Sequence, residues 1–162
     1  MENQKEPLPE LNQNEFNDTL AEIEISYKKK ISANLLEKII NSGEANRLFR
    51  KIWSTKIEHI EEAYMLCLNR ANKVLGYFKL SAGGIFGTVV DIRIILQVAI
   101  KTNSVSIILS HNHPSGNLQP SEADIKLTKK VREACKLLDI TFLDHIILTE
   151  EEYFSFADNG IL

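Results

Sequence analysis

The 162-residue sequence predicts an α/β sandwich built on a mixed sheet. Segments with the alternating or continuous apolar character of strands take turns with segments whose apolar residues recur every three to four positions, as in helices. Two strand segments follow each other across a short polar connection, which indicates a hairpin. A later strand segment is almost wholly apolar, as in strands that are buried on both faces.

The first 56 residues divide into two predicted parts. Residues 1–20 are polar and contain two prolines, which predicts a flexible or loosely attached arm. Residues 21–56 are expected to form an extended and helical N-terminal segment. In this segment an apolar alternation at 21–27 favours a strand, and the helical spacing at 32–53 favours two short helices or one kinked helix.

The main domain is predicted at residues 57–162 and begins with the hairpin. Its strands are expected at 61–68 and 74–80, joined by the sequence NRAN. A glycine-rich turn and a short extended piece at 88–90 follow. Asp91 is then a suitable N-cap for a helix that ends near Thr102.

The second half of the main domain continues the alternation. A buried strand is predicted at 105–109, a helix at 122–138, a strand at 141–148 and a short helix near 151–157. This order completes the pattern of an α/β protein.

The composition is typical of globular proteins, with 44% hydrophobic and 25% charged residues. No apolar run approaches the roughly 18 residues of a membrane-spanning helix, and the polar N-terminus has no secretory signal. A cytoplasmic protein without membrane contact is therefore expected. The net charge of −3 argues against a domain that binds nucleic acid through bulk positive charge. Cys67 and Cys135 lie in apolar segments and are expected to be buried free thiols.

Residues 110–124, with the sequence SHNHPSGNLQPSEAD, contain the main candidate for a chemical site. His111 and His113 follow the buried strand, and residues two apart in an extended backbone project to the same face. Both rings can therefore reach one ion, as two of the three protein ligands of a catalytic zinc site. A turn that happens to contain two histidines is the alternative, and the pair alone favours that alternative.

Asp124 shifts the balance towards a metal site. It precedes Leu127 by three residues and Val131 by seven, so its carboxylate lies on the inward face of the predicted helix. A buried charge without a partner is costly, and a cation held by the histidines would be that partner. The competing explanation is a capping box between Ser121 and Asp124. Because Asp is shorter than the usual Glu or Gln, a poor box is expected, with Ser121 still capping the helix.

A hydrolytic metal site also needs a base that is not itself a metal ligand. Glu61 and Glu62 begin the first predicted strand and are the candidates. Their side chains point to opposite faces, so only one can serve. The spacing alone does not choose between them, and two solvated carboxylates at a strand start are the structural alternative.

The complete pattern resembles the JAMM motif, also called JAB or MPN, of metalloproteases. It consists of His111-x-His113, seven residues, Ser121, two residues and Asp124, with a glutamate on an earlier strand. The strings SHNHPSGNLQPSEADIKLT, LDHIILT and FSFADNGIL resemble the RadC-like branch, which carries a historical DNA repair label. The resemblance implies a three-layer JAB/MPN-like sandwich, which is also cytidine-deaminase-like.

The resemblance also implies a role for each site residue. One Zn²⁺ per chain would be bound by His111, His113 and Asp124, and a water would complete the tetrahedron. Ser121 would stabilise the oxyanion. Glu61 would be the general acid/base, because RadC-like chains place that glutamate eight residues before the end of the first strand, and Glu62 is the fallback. Longer members carry a helix-hairpin-helix region whose G-x-G turns are absent from residues 1–56, so a short form is expected.

The predicted function is that of a zinc metallopeptidase that cleaves a peptide or isopeptide bond in a peptide or protein substrate. Two alternatives stay open. One is a DNA repair or recombination-associated protein that contacts DNA, and the other is a non-catalytic, metal-stabilised interaction module. His145, in the last long strand, is expected to be a hydrogen-bonded structural histidine, with support of the site as the second interpretation.

Overall fold

The computed structural model describes residues 31–32, 35–83 and 89–162. The strands within them are β1 (Glu62–Leu68), β2 (Val74–Ala82), β3 (Ser106–Asn112), β4 (Thr141–Leu148) and β5 (Tyr153–Ser155). The helices are α1 (Ser42–Ile52), α2 (Ile92–Lys101) and α3 (Glu122–Lys136). The arm predicted at 1–20 and the strand predicted at 21–27 lie outside the described residues.

The five strands form one mixed sheet in the order β2-β1-β3-β4-β5. β1 pairs antiparallel with β2 and with β3, and β4 pairs antiparallel with β5. β3 and β4 run parallel because α3 carries the chain back across the sheet between them. The predicted α/β class with a mixed sheet is therefore confirmed, as is the hairpin of β1 and β2.

Helices cover both faces of the sheet and produce three layers. On one face α1 buries Phe49 against strand residues such as Leu66 and Ile146. On the other face α2 and α3 bury Ile95 and Val131 against the opposite side of the same strands. Each face of the sheet thus has its own apolar core. Both cysteines are buried and free, as expected, and burial raises the pKa of the Cys135 thiol to about 11.

The helical spacing at 32–53 produces a helix only from Ser42 onwards. The Asn41 side chain accepts a hydrogen bond from the Glu44 N–H and caps α1. The residues just before it lie along the start of β2 and the turn that leads into it: the Val74 N–H donates to the Glu37 carbonyl, and the Ile39 N–H donates to the Asn72 carbonyl. This edge pairing leaves Ile40 69% exposed, so a residue that fits the helical apolar spacing does not pack in the core. Tertiary pairing overrides the local pattern here.

The short helix predicted near 151–157 is wrong. The chain forms β5 instead, and Phe154 in it pairs with Ile147 of β4. The pairing places Phe156 at zero exposure, stacked on the His145 ring. Edge pairing and aromatic burial therefore decide this segment against its helical spacing. Of the extended piece predicted at 88–90, Val89 and Val90 are described and belong to no strand.

Within the part of the chain that the structure describes, no helix combines the length and the apolar character needed to cross a membrane.

Candidate metal centre

Three candidate ligands meet where β3 ends and α3 begins. β3 continues beyond the predicted 109 to Asn112, so His111 lies inside the strand and His113 directly after it. Asp124 is in the first turn of α3. The His111 and His113 Nε2 atoms are 3.0 Å apart, the His111 Nε2 lies 3.1 Å from Asp124 Oδ1, and the His113 Nε2 lies 3.5 Å from Asp124 Oδ2.

Ser121 holds the Asp124 carboxylate from one side. Its N–H and its hydroxyl both donate to Asp124 Oδ2, at 2.7 and 2.6 Å. The Asp124 N–H donates back to Ser121 Oγ at 3.2 Å, which completes a capping box. The expectation of a poor box is therefore wrong, because Asp reaches the N-cap in spite of its shorter side chain. The box and the ligand position do not compete, since Oδ1 still faces His111.

The hydrogen bond of His113 Nδ1 shows that the opposite nitrogen of this ring, Nε2, can bind a cation. The His113 Nδ1 lies 2.6 Å from the Asn117 carbonyl, which can only accept, so Nδ1 carries the proton and the neutral ring presents a lone pair at Nε2. The Nε2 atoms of the two histidines and the carboxylate oxygens of Asp124 thus lie 3.0 to 3.5 Å from one another. Tetrahedral metal–ligand bonds of about 2.0–2.1 Å would separate ligand atoms by about 3.3 Å. His111, His113 and Asp124 could therefore hold a metal ion.

The pKa shifts in the cluster also favour a cation at this site. Burial raises the pKa of the Asp124 carboxyl, but contacts with His111, His113 and Ser121 outweigh it and hold that pKa far below its usual value. The hydrogen bond to Asp124 raises the pKa of His113, against the effect of burial. Both shifts show that the carboxylate and the rings favour a positive charge between them, which a metal ion can supply in place of a proton.

The two glutamates lie on opposite faces of β1, and only Glu61 faces the cluster. Glu61 lines a pocket of about 30 Å³ together with His111 and Asp124, which is room for about one water molecule. Glu62 is 3% exposed on the other face, where it accepts from Lys79 Nζ and from the Ser54 hydroxyl. The structure therefore brings Glu61, but not Glu62, to the ligands. The alternative of two solvated carboxylates is wrong for Glu62.

Comparison with known proteins adds a family to this geometry. The family description "RadC-like JAB domain" matches residues 39–161, which is most of the chain. The chain belongs to the RadC-like JAB family. Within this family, the His-His-Asp cluster is in line with a metal site, and the fold of the structure is consistent with a JAB/MPN-like domain.

Several relatives carry names that state no activity. A UPF0758 protein of Flavobacterium johnsoniae is 41% identical over 143 residues, which are 88% of this chain and 62% of the relative. A UPF0758 protein of Porphyromonas gingivalis is 45% identical over 63% of this chain and 45% of its own length. UPF0758 protein YfjY of Escherichia coli is 38% identical over 75% of each chain. The chain thus spans about half to three fifths of the first two relatives.

Glu62 is a buried carboxylate of this RadC-like JAB domain, and Lys79 keeps it ionised. Burial raises the pKa of Glu62, but the bonds from Lys79 and Ser54 outweigh it and hold that pKa below its usual value. A carboxylate of this kind contributes stability that is present above its unfolded pKa and is lost as the pH falls.

Lys79→Met is expected to lower the free energy of unfolding by about 1–3 kcal/mol at neutral pH, because the buried carboxylate loses its charged partner. In the variant, burial dominates and the folded pKa rises above the unfolded one. The deficit should therefore shrink as the pH falls towards 4.5, the ordinary pKa of Glu. Urea unfolding of both proteins at neutral and acidic pH measures this. An equal deficit at both pH values would contradict the assignment.

Asn112 is a structural residue of the centre that sequence reasoning missed. Its side chain is fully buried, accepts from the Glu62 N–H at 2.7 Å, and donates to the Ile57 and Ile60 carbonyls. These bonds tie the start of β1 to β3 and so position Glu61 beside the histidines. The signal was present in the sequence, because the residue between two inward-facing histidines of a buried strand must point into the opposite core.

His145 contacts the centre from β4 and combines both interpretations made from the sequence. Its ring is 1% exposed and stacks on Phe156, as expected of a structural histidine. Its Nε2 lies 2.9 Å from the His111 Nδ1, so it also supports a candidate ligand. Its Nδ1 lies 2.7 Å from the Thr128 hydroxyl oxygen. Thr128 was missed by sequence reasoning, although it lies one helical turn after Asp124 on the inward face of α3.

Proposed function

We propose that this RadC-like JAB domain is a zinc-dependent peptidase that cleaves a peptide or isopeptide bond. The observation that carries the proposal is the position of Glu61, which shares the pocket of His111 and Asp124 but is not a member of the ligand cluster. A carboxylate beside a metal site, held apart from the metal, is what a hydrolase needs as its general base.

Each residue of the centre has one proposed role. His111, His113 and Asp124 hold the zinc ion, which when bound polarises a carbonyl and lowers the pKa of a water molecule towards about 7. Glu61 accepts the proton of the attacking water and returns it to the leaving amine as the C–N bond breaks. Ser121 is assigned to the oxyanion by the resemblance to JAMM metalloproteases: its hydroxyl donates to Asp124 Oδ2 in this structure and would turn from that carboxylate to the oxyanion during the reaction.

The choice of an amide bond follows from the resemblance to JAMM metalloproteases. A peptide or protein is therefore the proposed substrate class, and DNA is the proposed partner only in the alternative function. The net charge of −3 supports the peptide substrate over DNA.

The test begins with the metal. Zinc content is measured by mass spectrometry of the purified protein after dialysis against a weak chelator, and zinc is added back by titration. The zinc-loaded protein is then incubated with a peptide library derived from a proteome, together with peptides joined through lysine side chains. New amino termini and released lysine amines are identified by mass spectrometry. We expect cleavage that a strong chelator stops and that zinc restores.

The other outcomes distinguish the alternatives. Zinc uptake with a raised Tm, but without new termini or released lysine amines, would contradict the peptidase and favour the metal-stabilised module. Salt-dependent binding to DNA in the absence of cleavage would favour the DNA-associated function. No zinc uptake at all would contradict the metal centre itself.

A further inference from the structure

We propose that His145 and Thr128 are positioning residues that hold His111 in the one neutral tautomer that can bind a metal through Nε2. The inference rests on the metal centre of the proposed function, but it does not depend on peptide cleavage.

The argument starts from the Thr128 hydroxyl. Thr128 Oγ1 donates to the backbone carbonyl of Asp124 at 2.7 Å, and a carbonyl can only accept. The single proton of this hydroxyl is therefore committed to Asp124. Because His145 Nδ1 lies 2.7 Å from the same oxygen, His145 must be the donor in that bond, and its Nδ1 carries a proton.

The proton between the two histidines can then be placed. His145 Nε2 and His111 Nδ1 are 2.9 Å apart and share one proton. If that proton were on His145, the ring would be a cation at 1% exposure, packed between Phe142 and Phe156. Because removing a cation from water and burying it against apolar rings is costly, the proton lies on His111 Nδ1. The opposite nitrogen of His111, Nε2, is then left with a lone pair that faces the cluster.

The Asp124 carboxylate is the reason that His111 needs a hydrogen bond from its Nδ1 to His145. Its Oδ1 lies 3.1 Å from His111 Nε2, so the carboxylate attracts a proton to that nitrogen. A His111 ring protonated at Nε2 would donate to Asp124 and could not coordinate a metal. The acceptor nitrogen of His145 draws the proton to the other side of the ring, so two hydrogen bonds compete for the tautomer.

The hydrogen bonds of Thr128 and His145 link the three elements around the metal centre. Thr128 and Asp124 belong to α3, His145 to β4 and His111 to β3. A histidine ligand whose outer nitrogen donates to a neighbouring acceptor is fixed in both ring orientation and tautomer. The relay from Asp124 through Thr128 and His145 therefore sets the ring of His111 before any ion binds.

Two variants and two matched controls test the relay. His145→Phe keeps an aromatic ring against Phe156 but removes the acceptor, and Thr128→Val keeps the shape of the side chain but removes the hydroxyl. Thr128→Ser keeps the hydroxyl. Ser155→Ala removes a buried hydroxyl of β5 that donates to Asp144 of β4 at 2.6 Å, and so measures the effect of lost stability alone.

Zinc affinity is measured by competition with a chromophoric chelator, and the ligand field is read from the absorption of the Co²⁺-loaded proteins. We expect His145→Phe and Thr128→Val to weaken zinc binding about 10–100-fold and to change the Co²⁺ spectrum. Thr128→Ser and Ser155→Ala should keep the wild-type affinity, although Ser155→Ala is expected to lower Tm.

Nitrogen-15 NMR of the metal-free wild type, with labelled histidine and at mildly alkaline pH, reads the tautomer without any substitution. We expect His111 to be protonated at Nδ1 and His113 likewise. A His111 ring protonated at Nε2, or wild-type zinc affinity in folded His145→Phe and Thr128→Val, would overturn the proposal. Weakened affinity in a protein that cleaves no peptide would support the relay and contradict only the peptidase. Cleavage with unchanged affinity would do the reverse.

Discussion

Glu61→Gln is expected to keep its zinc and to lose about 10²–10⁴-fold in the rate of hydrolysis. Glutamine has the size of glutamate but cannot accept the proton of the attacking water. The metal should be retained because Glu61 lines the pocket without belonging to the His-His-Asp cluster. Metal content by mass spectrometry and initial rates on a cleaved peptide, measured on the same preparation, test both parts of this expectation.

Glu62→Gln is the matched control, since it makes the same change one residue later on the opposite face of β1. Its bonds from Lys79 and Ser54 would weaken, so the variant should be less stable. The rate per folded molecule should stay at the wild-type level. If Glu62→Gln were the inactive variant, the base would be assigned to the wrong glutamate. If zinc-loaded Glu61→Gln kept the wild-type rate, Glu61 would not be the general base.

Asp124→Asn is expected to abolish the stabilisation of the protein by zinc. For the wild type, free zinc at 100 times its Kd should raise the free energy of unfolding by about 2.7 kcal/mol. The substitution removes the anionic ligand while the amide oxygen can still accept from the Ser121 N–H and hydroxyl, so the cap of α3 is retained. The loss should therefore appear in metal binding rather than in the metal-free fold. Thermal unfolding with and without zinc measures it.

Glu122→Gln supplies the control for this change. It neutralises another carboxylate in the first turn of α3, but that side chain is 91% exposed and faces Lys126. The rise in Tm on addition of zinc should match that of the wild type. A zinc-dependent rise in Tm that survived in Asp124→Asn would remove Asp124 from the ligand set.

Local sequence signals were sufficient for several elements and for the candidate ligands. The polar connection NRAN predicts the turn between β1 and β2, and the Asp91 side chain caps α2 by accepting from the Arg93 N–H. The histidines share a face because of the two-residue period of a strand. Asp124 faces inward because of the helical period of α3. In each of these cases the deciding interactions lie within a few residues along the chain.

Local signals failed where a segment pairs with the edge of a strand instead of forming a helix. The segment before α1 pairs with the edge of β2, and the predicted helix near 151–157 becomes β5 because β4 offers it an edge. Periodicity describes a segment by itself, whereas strand pairing depends on which partner the fold brings alongside.

By itself, the sequence determined the class of the fold, the hairpin, the ends of α2 and the approach of His111, His113 and Asp124 to one another. The strand period left Glu61 and Glu62 undecided, and only the family resemblance favoured Glu61. The tertiary structure turns Glu61 towards the ligands and Glu62 towards Lys79, because that depends on which face of the sheet α2 and α3 cover. It alone placed His145 against His111, since those residues are 34 positions apart. Contacts across such separations depend on how the layers pack, which no local period encodes.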